Sequence, residues 1–587
     1  MNRNSLVFGV LLPAACASVA PERPTPRGPN VIIVMTDDQG WGDFGFQGNS
    51  VIHTPNLDAM AAESAQLATF YVSPVCAPTR AALMTGRYCQ RTRAIDTYIG
   101  RAMMEPDEVT IAEVLRDAGW ATGIFGKWHL GDCYPMRAMD QGFEESLVHR
   151  GGGIGQSSDP EGGEAKYTDA ILFHNGVETR TSGYCTDVYF DAALEWMWSE
   201  QAADRPFFAY IATNAPHGPF GDVPAAEYAD LSARDLSPAA FPAAAGHALP
   251  AKHDEDRLAR IFAMIENIDA NVGRLFAGLE EMGALEDTLV LFLVDNGPNS
   301  RRWVRGMRGM KTEVYEGGIR SPLLAHWPGH LPARSVPNVI GAHIDIMPTV
   351  LEACGVALPD GVELDGVSLL PALRNDTISS PERTITIQAH RGNEAVRYHN
   401  FMARTPGWKL LNASGFHEEL ASVEPRFELY DMRADPLELV DVAAAHPDVV
   451  ARMRAEYDAW FDDVGSTRAD NYAPPRIVIG SDAAPEVVLT RQDWRRERDD
   501  GRPYGHWEVR VQSPGPYRVR VRFPKNAKVR SVTLRLGEFA QTEAAHAGAS
   551  EHTFESVRLK VGEGPLEVVL EGEDGALGAY QVFFVPV

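Results

Sequence analysis

The chain has 587 residues, with 54 Lys and Arg against 80 Asp and Glu, and a formal net charge of −26. Its 44% hydrophobic and 23% charged residues are those of a globular protein, which excludes a disordered or fibrous chain. The acidic balance excludes nucleic acid or an anionic membrane as the main partner, because phosphate contacts need clustered Lys and Arg, yet a basic pocket for a small anion can sit inside an acidic shell.

Residues 1–20 begin with one cation, Arg3, continue with the apolar run 6–12 and close on small residues. That is the order of a secretory signal peptide, and the run is too short to span a bilayer. Cys16, after Leu12-Pro13-Ala14-Ala15, also resembles a lipoprotein cleavage box. Four prolines in residues 21–29 read as a linker. The expectation is an exported chain (periplasmic, extracellular or lipid-anchored) with residues 1–27 as signal peptide and linker. No later segment offers eighteen uninterrupted apolar residues, so no integral membrane span is expected.

Short β-branched runs at 31–35, 207–212 and 289–294 each lead into polar turns, as strands buried on both faces would. Between them, 110–118 and 258–282 carry apolar residues at helical spacing, closed by Gly119 and Gly283. Alternation of this kind predicts an α/β domain over 28–375 with a mostly parallel sheet, whose ligands bind beyond the carboxyl ends of the strands. Strand-like runs at 384–388, 401–404, 408–411 and 427–430, then a helix at 446–462, predict a small α+β subdomain over 376–470. Six or more short strands between 507 and 585, without helical patterning, predict an all-β sandwich over 471–587.

Chemistry concentrates in Cys76-Ala77-Pro78-Thr79-Arg80, which runs on to Thr85-Gly86-Arg87. Pro78 suits the first turn of a helix, placing Cys76 at a helix N-terminus where free N–H groups favour negative charge, with Arg80 one turn on. A buried structural Cys beside a surface Arg, or a thiolate nucleophile, would account for these residues taken alone. Asp37-Asp38 and Asp295-Asn296, both after predicted strands, offer four oxygen donors suited to a hard divalent cation; each pair alone reads as a cap or turn.

Together these segments resemble the sulfatase family of the alkaline-phosphatase-like superfamily, whose Cys/Ser-x-Pro-x-Arg signature and Thr-Gly-Arg helix end are matched at every position. The resemblance spans about residues 28–460 and stops short of the β-rich C-terminus. It implies an alkaline-phosphatase-like sheet between helices, and conversion of Cys76 to Cα-formylglycine by a formylglycine-generating enzyme. The hydrated aldehyde attacks sulfur and later releases sulfate as the hemiacetal collapses. It also implies one divalent ion, Ca²⁺ ahead of Mg²⁺, held by Asp37, Asp38, Asp295, Asn296 and the modified Cys76. In Gly126-Lys127-Trp128-His129-Leu130-Gly131, Lys127 would contact sulfate and His129 would orient and deprotonate the diol. His217 and Lys311 match the sulfate-binding His and Lys, and Arg80 completes the set. Near 142–156 the chain resembles bacterial arylsulfatases, which makes His149 and Arg150 candidates for substrate contact. The expected function is hydrolysis of sulfate esters, the natural substrate being a small-molecule or glycan sulfate. A phosphodiester or phosphonate hydrolase of the same superfamily is the nearest alternative; a non-catalytic glycan-binding protein and a plain cysteine hydrolase are the others. Cys89, Cys133, Cys185 and Cys354 are left to form up to two disulfides or to stay buried as small hydrophobes.

Overall fold

A computed structural model describes residues 28–163, 165–375, 383–470, 472–495, 503–573 and 575–587. The expected signal peptide and linker therefore lie outside the described residues. Nine strands form the central sheet: β1 Asn30–Thr36, β2 Ala65–Gln66, β3 Ala121–Lys127, β4 Glu145–His149, β5 Ile171–His174, β6 Val177–Arg180, β7 Phe207–Ala212, β8 Thr288–Val294 and β9 Leu323–His326. Their spatial order is β2-β9-β8-β1-β7-β3-β4-β5-β6. The five strands from β8 to β4 pair in parallel, and antiparallel strands complete both edges.

Every residue of β1, β3, β7 and β8 is buried, as continuous apolar runs require. Alternate side chains feed two cores. Val31, Ile33 and Met35 pack with the helices α1 Cys76–Thr85, α2 Ile111–Asp117 and α5 Ile346–Cys354 on one face. Ile32 and Val34 pack with α3 Cys185–Ala202 and α4 Glu255–Glu281 on the other. Thr110 begins α2 through a reciprocal cap with Glu113. Helix α4 starts three residues before its apolar pattern, because Asp254 caps it by accepting from the Arg257 amide at 3.0 Å.

The smaller subdomain is an antiparallel sheet of β10 Ile385–Gln388, β11 Phe401–Arg404, β12 Trp408–Asn412 and β13 Glu428–Asp431, backed by α6 Pro447–Ser466. Lys409 on β12 ties it to the α/β domain. Its ammonium lies 2.9 Å from Glu316 and 2.6 Å from Glu438, and all three side chains are fully buried.

Beyond residue 476, two sheets face each other across a core of Trp507, Val509, Leu534, Val568, Val519 and Phe584. Met103, Cys133 and Met136 of the α/β domain join that same core, so the sandwich is docked rather than strung on a linker. Among the described residues Cys76, Cys89, Cys133, Cys185 and Cys354 are all buried and free, which leaves the disulfide alternative unfilled and the four others as small hydrophobes.

Replacing Lys409 with Met leaves Glu438 buried without its cation beside Glu316, which keeps its pairing with Arg320. Denaturant unfolding of Lys409→Met is expected to give a loss of about 3–5 kcal/mol, whereas a loss below about 1 kcal/mol would contradict the role assigned to this ion cluster.

Candidate active site

The carboxyl ends of the parallel strands deliver the polar residues to one place. Strand β1 runs into Asp37 and Asp38, β8 into Asp295 and Asn296, β3 closes on Lys127, and β7 leads towards His217. Strand β3 can pass so close to β7 only because Gly126 has no side chain. Its φ is 122°, and a Cβ there would lie 1.8 Å from the Ala212 carbonyl oxygen.

Helix α1 begins at Cys76, with Val75 extended before it and Pro78 inside the first turn. Cys76 is only 2% exposed, and its sulfur lies with carboxylate oxygens of Asp37 and Asp295 in a group whose atoms are all within 4.8 Å of one another. One turn on, Arg80 points back into this group. Its Nε and Nη2 donate to Asp295 Oδ2 at 3.1 and 2.7 Å, and its Nη1 donates to the Lys127 carbonyl at 2.8 Å. Lys127 Nζ donates to Asp37 Oδ2 at 2.5 Å. Asp38 Oδ1 accepts from Lys311 Nζ at 2.5 Å and from Asn296 Nδ2 at 2.8 Å, while His217 Nε2 stands 3.8 Å from Asp38 Oδ2.

Asp38 and His129 hold left-handed backbone, φ 63° and 59°. Each such residue costs on the order of 1 kcal/mol, a strain that surrounding contacts must hold. For Asp38 the holding contacts are its amide to Asp295 Oδ1 at 3.2 Å and Arg302 Nη2 to its carbonyl at 2.9 Å.

Burial works against every charge here, and the partners decide the outcome. It would raise the Asp38 carboxyl, but Lys311, His217 and Asn296 hold that group well below the usual carboxylate range. For Asp295 burial wins: with Asp37 close by, the carboxyl is pushed up to about 6 despite Arg80 and Lys127. The Cys76 thiol is likewise pushed up by burial, against the pull of Lys127 and Lys311, so the unmodified thiol is not activated as a thiolate. Burial lowers His217 to about 4 although Asp38 opposes it.

Two acceptors, Asp37 Oδ1 and Asn296 Oδ1, are buried without a hydrogen-bond partner. Unpaired oxygens beside Asp38 and Asp295 form a hard donor set, and the residues present fit a divalent cation.

The remaining candidates separate. His129 Nε2 lies 3.0 Å from the Thr97 carbonyl, and its Nδ1 is buried without a partner. His149 pairs in register with Lys127 across β3 and β4, and its Nδ1 is 3.1 Å from the Tyr189 hydroxyl. Arg150 turns elsewhere. It stacks 3.9 Å over Phe173 and lines a cavity shared with Val487, Arg520 and Phe583 of the sandwich. Motif reading passed over Gln492, which reaches the Thr97 carbonyl from the sandwich; no local pattern marks it, because the contact joins residues 395 apart.

Residues 29–356 match the sulfatase family model, and residues 310–459 match the C-terminal model of N-sulphoglucosamine sulphohydrolase. The chain belongs to the sulfatase family. It is 32% identical to human arylsulfatase A over 541 residues, 81% of this chain and 95% of the relative. It is also 32% identical to N-acetylgalactosamine-6-sulfatase of Canis lupus familiaris over 377 residues, 59% of this chain and 66% of the relative. The crystal structure of Ps i-CgsB in complex with k-i-k-neocarrahexaose matches with TM-score 0.61 and 25% identity, over 74% of this chain and 93% of that one. This sulfatase is a sulfuric ester hydrolase of alkaline-phosphatase-like fold, and its family uses a metal ion. No helix among the described residues is long and apolar enough to cross a membrane.

Burial of His217 has a signature in stability. Below pH 6.5 the unfolded chain takes up a proton on this imidazole that the folded chain refuses until about pH 4, so the residue subtracts stability as the pH falls through that window. Unfolding free energies of the sulfatase and of His217→Gln should therefore converge or cross in favour of the variant on acidification, by about 1.4 kcal/mol per pH unit. Parallel curves between pH 6.5 and 4 would refute the assignment.

Proposed function

We propose that this sulfatase hydrolyses sulfate esters of carbohydrates, using as nucleophile a formylglycine made from Cys76. The observation that carries the reading is the grouping of Cys76, Asp37 and Asp295 within 4.8 Å, surrounded by Arg80, Lys127 and Lys311. Asp37, Asp38, Asp295 and Asn296 would hold one Ca²⁺, with the modified Cys76 beside it. When bound, such an ion polarises a sulfate oxygen and favours the ionised form of the attacking hydroxyl.

The protein's own groups do the rest. Arg80, Lys127 and Lys311 concentrate positive charge where the sulfuryl group gains negative charge, in a buried setting that strengthens the attraction. Thr97 O accepts from His129 Nε2, which leaves Nδ1 as the lone pair able to take a proton from the nucleophile. His217 donates from Nδ1 to the Gly218 carbonyl at 2.7 Å, so its neutral imidazole offers only the Nε2 lone pair on the Asp38 side, and the Lys311 ammonium is the group there that can protonate or neutralise a leaving oxygen.

A glycan substrate is supported by a solved relative held in complex with k-i-k-neocarrahexaose, and by the sandwich docked beside the site. The proposed division is a catalytic domain over 28–375, a subdomain over 376–470 and an accessory β unit over 471–587. A formylglycine-generating enzyme is the maturation partner, and residues 1–27 direct export.

Peptide mass analysis of the fragment containing Cys76, from protein made beside a formylglycine-generating enzyme, should show loss of the thiol and gain of an aldehyde. Cys76→Ala should lower turnover of 4-nitrophenyl sulfate by at least about 10³-fold. Chelation should lower both activity and thermal midpoint, and Ca²⁺ at a hundred times its Kd should restore about 2.7 kcal/mol. An unmodified Cys76 in fully active protein would overturn the nucleophile, and sulfated oligosaccharides left intact by protein active on aryl sulfate would overturn the glycan assignment.

A further inference from the structure

We infer that Gln492, supplied by the C-terminal β-sandwich, is a positioning residue for His129; this rests on the proposed role of His129 in the sulfatase centre. Gln492 follows the strand Val487–Thr490, outside the residues 29–459 spanned by the two family models. It is 2% exposed, and its own carbonyl accepts from the Gly100 amide at 3.1 Å. Its side-chain Nε2 donates to the Thr97 carbonyl at 2.8 Å and stands 3.3 Å from His129 Nε2.

The Thr97 oxygen is the shared acceptor. A carbonyl oxygen offers two lone pairs and no proton, so both Gln492 Nε2 and His129 Nε2, the latter at 3.0 Å, come to it as donors. That requirement fixes the imidazole as the Nε2–H tautomer and keeps the Nδ1 lone pair free. It also turns the Gln492 amide so that Nε2 meets Thr97, with Oε1 buried and without a hydrogen-bond partner. Thr97 stands in a loop without regular structure between Cys89–Thr92 and Ile111–Asp117, so nothing in a helix or strand orients its carbonyl. Gln492 holds that loop twice, through the Thr97 carbonyl and through the Gly100 amide. With both nitrogens donating to Thr97, their 3.3 Å approach is packing, and the support that Gln492 gives the imidazole runs through the shared carbonyl.

The groups that face His129 make this support matter. Lys127, Arg80 and Lys311 all act on the imidazole as cations, and with burial they hold it neutral. From the glycine-rich loop, Gly152 packs so closely that a Cβ there would lie 2.7 Å from the ring, with Gln156 beside it. The hydrogen bond from the imidazole thus runs to the carbonyl that Gln492 orients. The β-sandwich is in this way part of the catalytic centre, and removing the amide alters the base without touching the sulfate contacts.

Matured full-length protein with Gln492→Met, which keeps the volume and removes the donor, is compared with Gln492→Glu, His129→Ala and the double variant His129→Ala/Gln492→Met, using 4-nitrophenyl sulfate. The expectation for Gln492→Met is a fall in kcat of about tenfold with KM within about twofold, and no further fall when His129 is already Ala. In Gln492→Glu a carboxylate beside the imidazole should raise its pKa and move the acid limb of kcat/KM up by about 1 pH unit or more. An unchanged kcat in Gln492→Met overturns the proposal, as does an equal loss in the His129→Ala background. A loss that merely tracks the thermal midpoint, with the acid limb of Gln492→Glu unmoved, reduces Gln492 to packing and overturns it too. Wild-type kcat in His129→Ala would instead remove the role of His129 on which the inference stands.

Discussion

Three buried carboxylates converge on one point in this molecule, and burial of an ionised carboxylate without a partner costs several kcal/mol. Asp37, Asp38 and Asp295 survive there because Lys127, Lys311 and Arg80 answer them one for one. Much of the surrounding architecture serves this pairing. The parallel strands must end level with one another, Gly126 must have no side chain, and helix α1 must start where Arg80 points back along it. Three charges against three leave the bare cluster neutral. With the proposed divalent ion added, the pocket carries two positive charges, which is the condition for holding a sulfate ester inside a protein whose net charge is −26.

The grouping around Cys76 could be read along the chain because each residue is held by local chemistry. Asp37 and Asp295 follow buried strands, and Cys76 opens a helix with a proline inside its first turn; short segments are enough to place them. The same holds for the central sheet, where continuous apolar runs mark β1, β7 and β8. What was not legible depends on distant partners. Lys409 looks like an ordinary exposed strand residue until Glu316 and Glu438 are brought to it by the fold. Arg150 follows the strand that ends at His149, yet stacking on Phe173 turns it towards the sandwich instead of towards Cys76. Helix α4 began earlier than its apolar period because a polar cap, not packing, sets its first turn.

A β-rich C-terminus is easily taken for a binding module carried along by an enzyme. The packing argues otherwise. Met103, Cys133 and Met136 enter the core of the sandwich, the Cys133 sulfur bonds to the Val488 carbonyl at 3.3 Å, and the Tyr134 carbonyl accepts from the Val478 amide at 3.1 Å. An interface that shares a hydrophobic core resists rigid-body motion, unlike the polar contacts typical between independent domains. The two units should therefore unfold together or leave a damaged remainder when cut apart.

Cys76 is almost wholly buried: it opens a helix whose ten residues are all buried, and it lies against the carboxylates of Asp37 and Asp295. The proposed formylglycine-generating enzyme, which must hold this cysteine in its own active site, has no way to reach it once helix α1 has packed. The proposed maturation of Cys76 is therefore set against the clock of folding. A sequence that folded faster, or a host that supplied too little of the modifying enzyme, would yield native, soluble and permanently inert molecules, indistinguishable by shape from active ones. Specific activity of a preparation then measures who won that race on each ribosome-born chain, and stabilising mutations near Cys76 carry a hidden penalty wherever they hasten its burial.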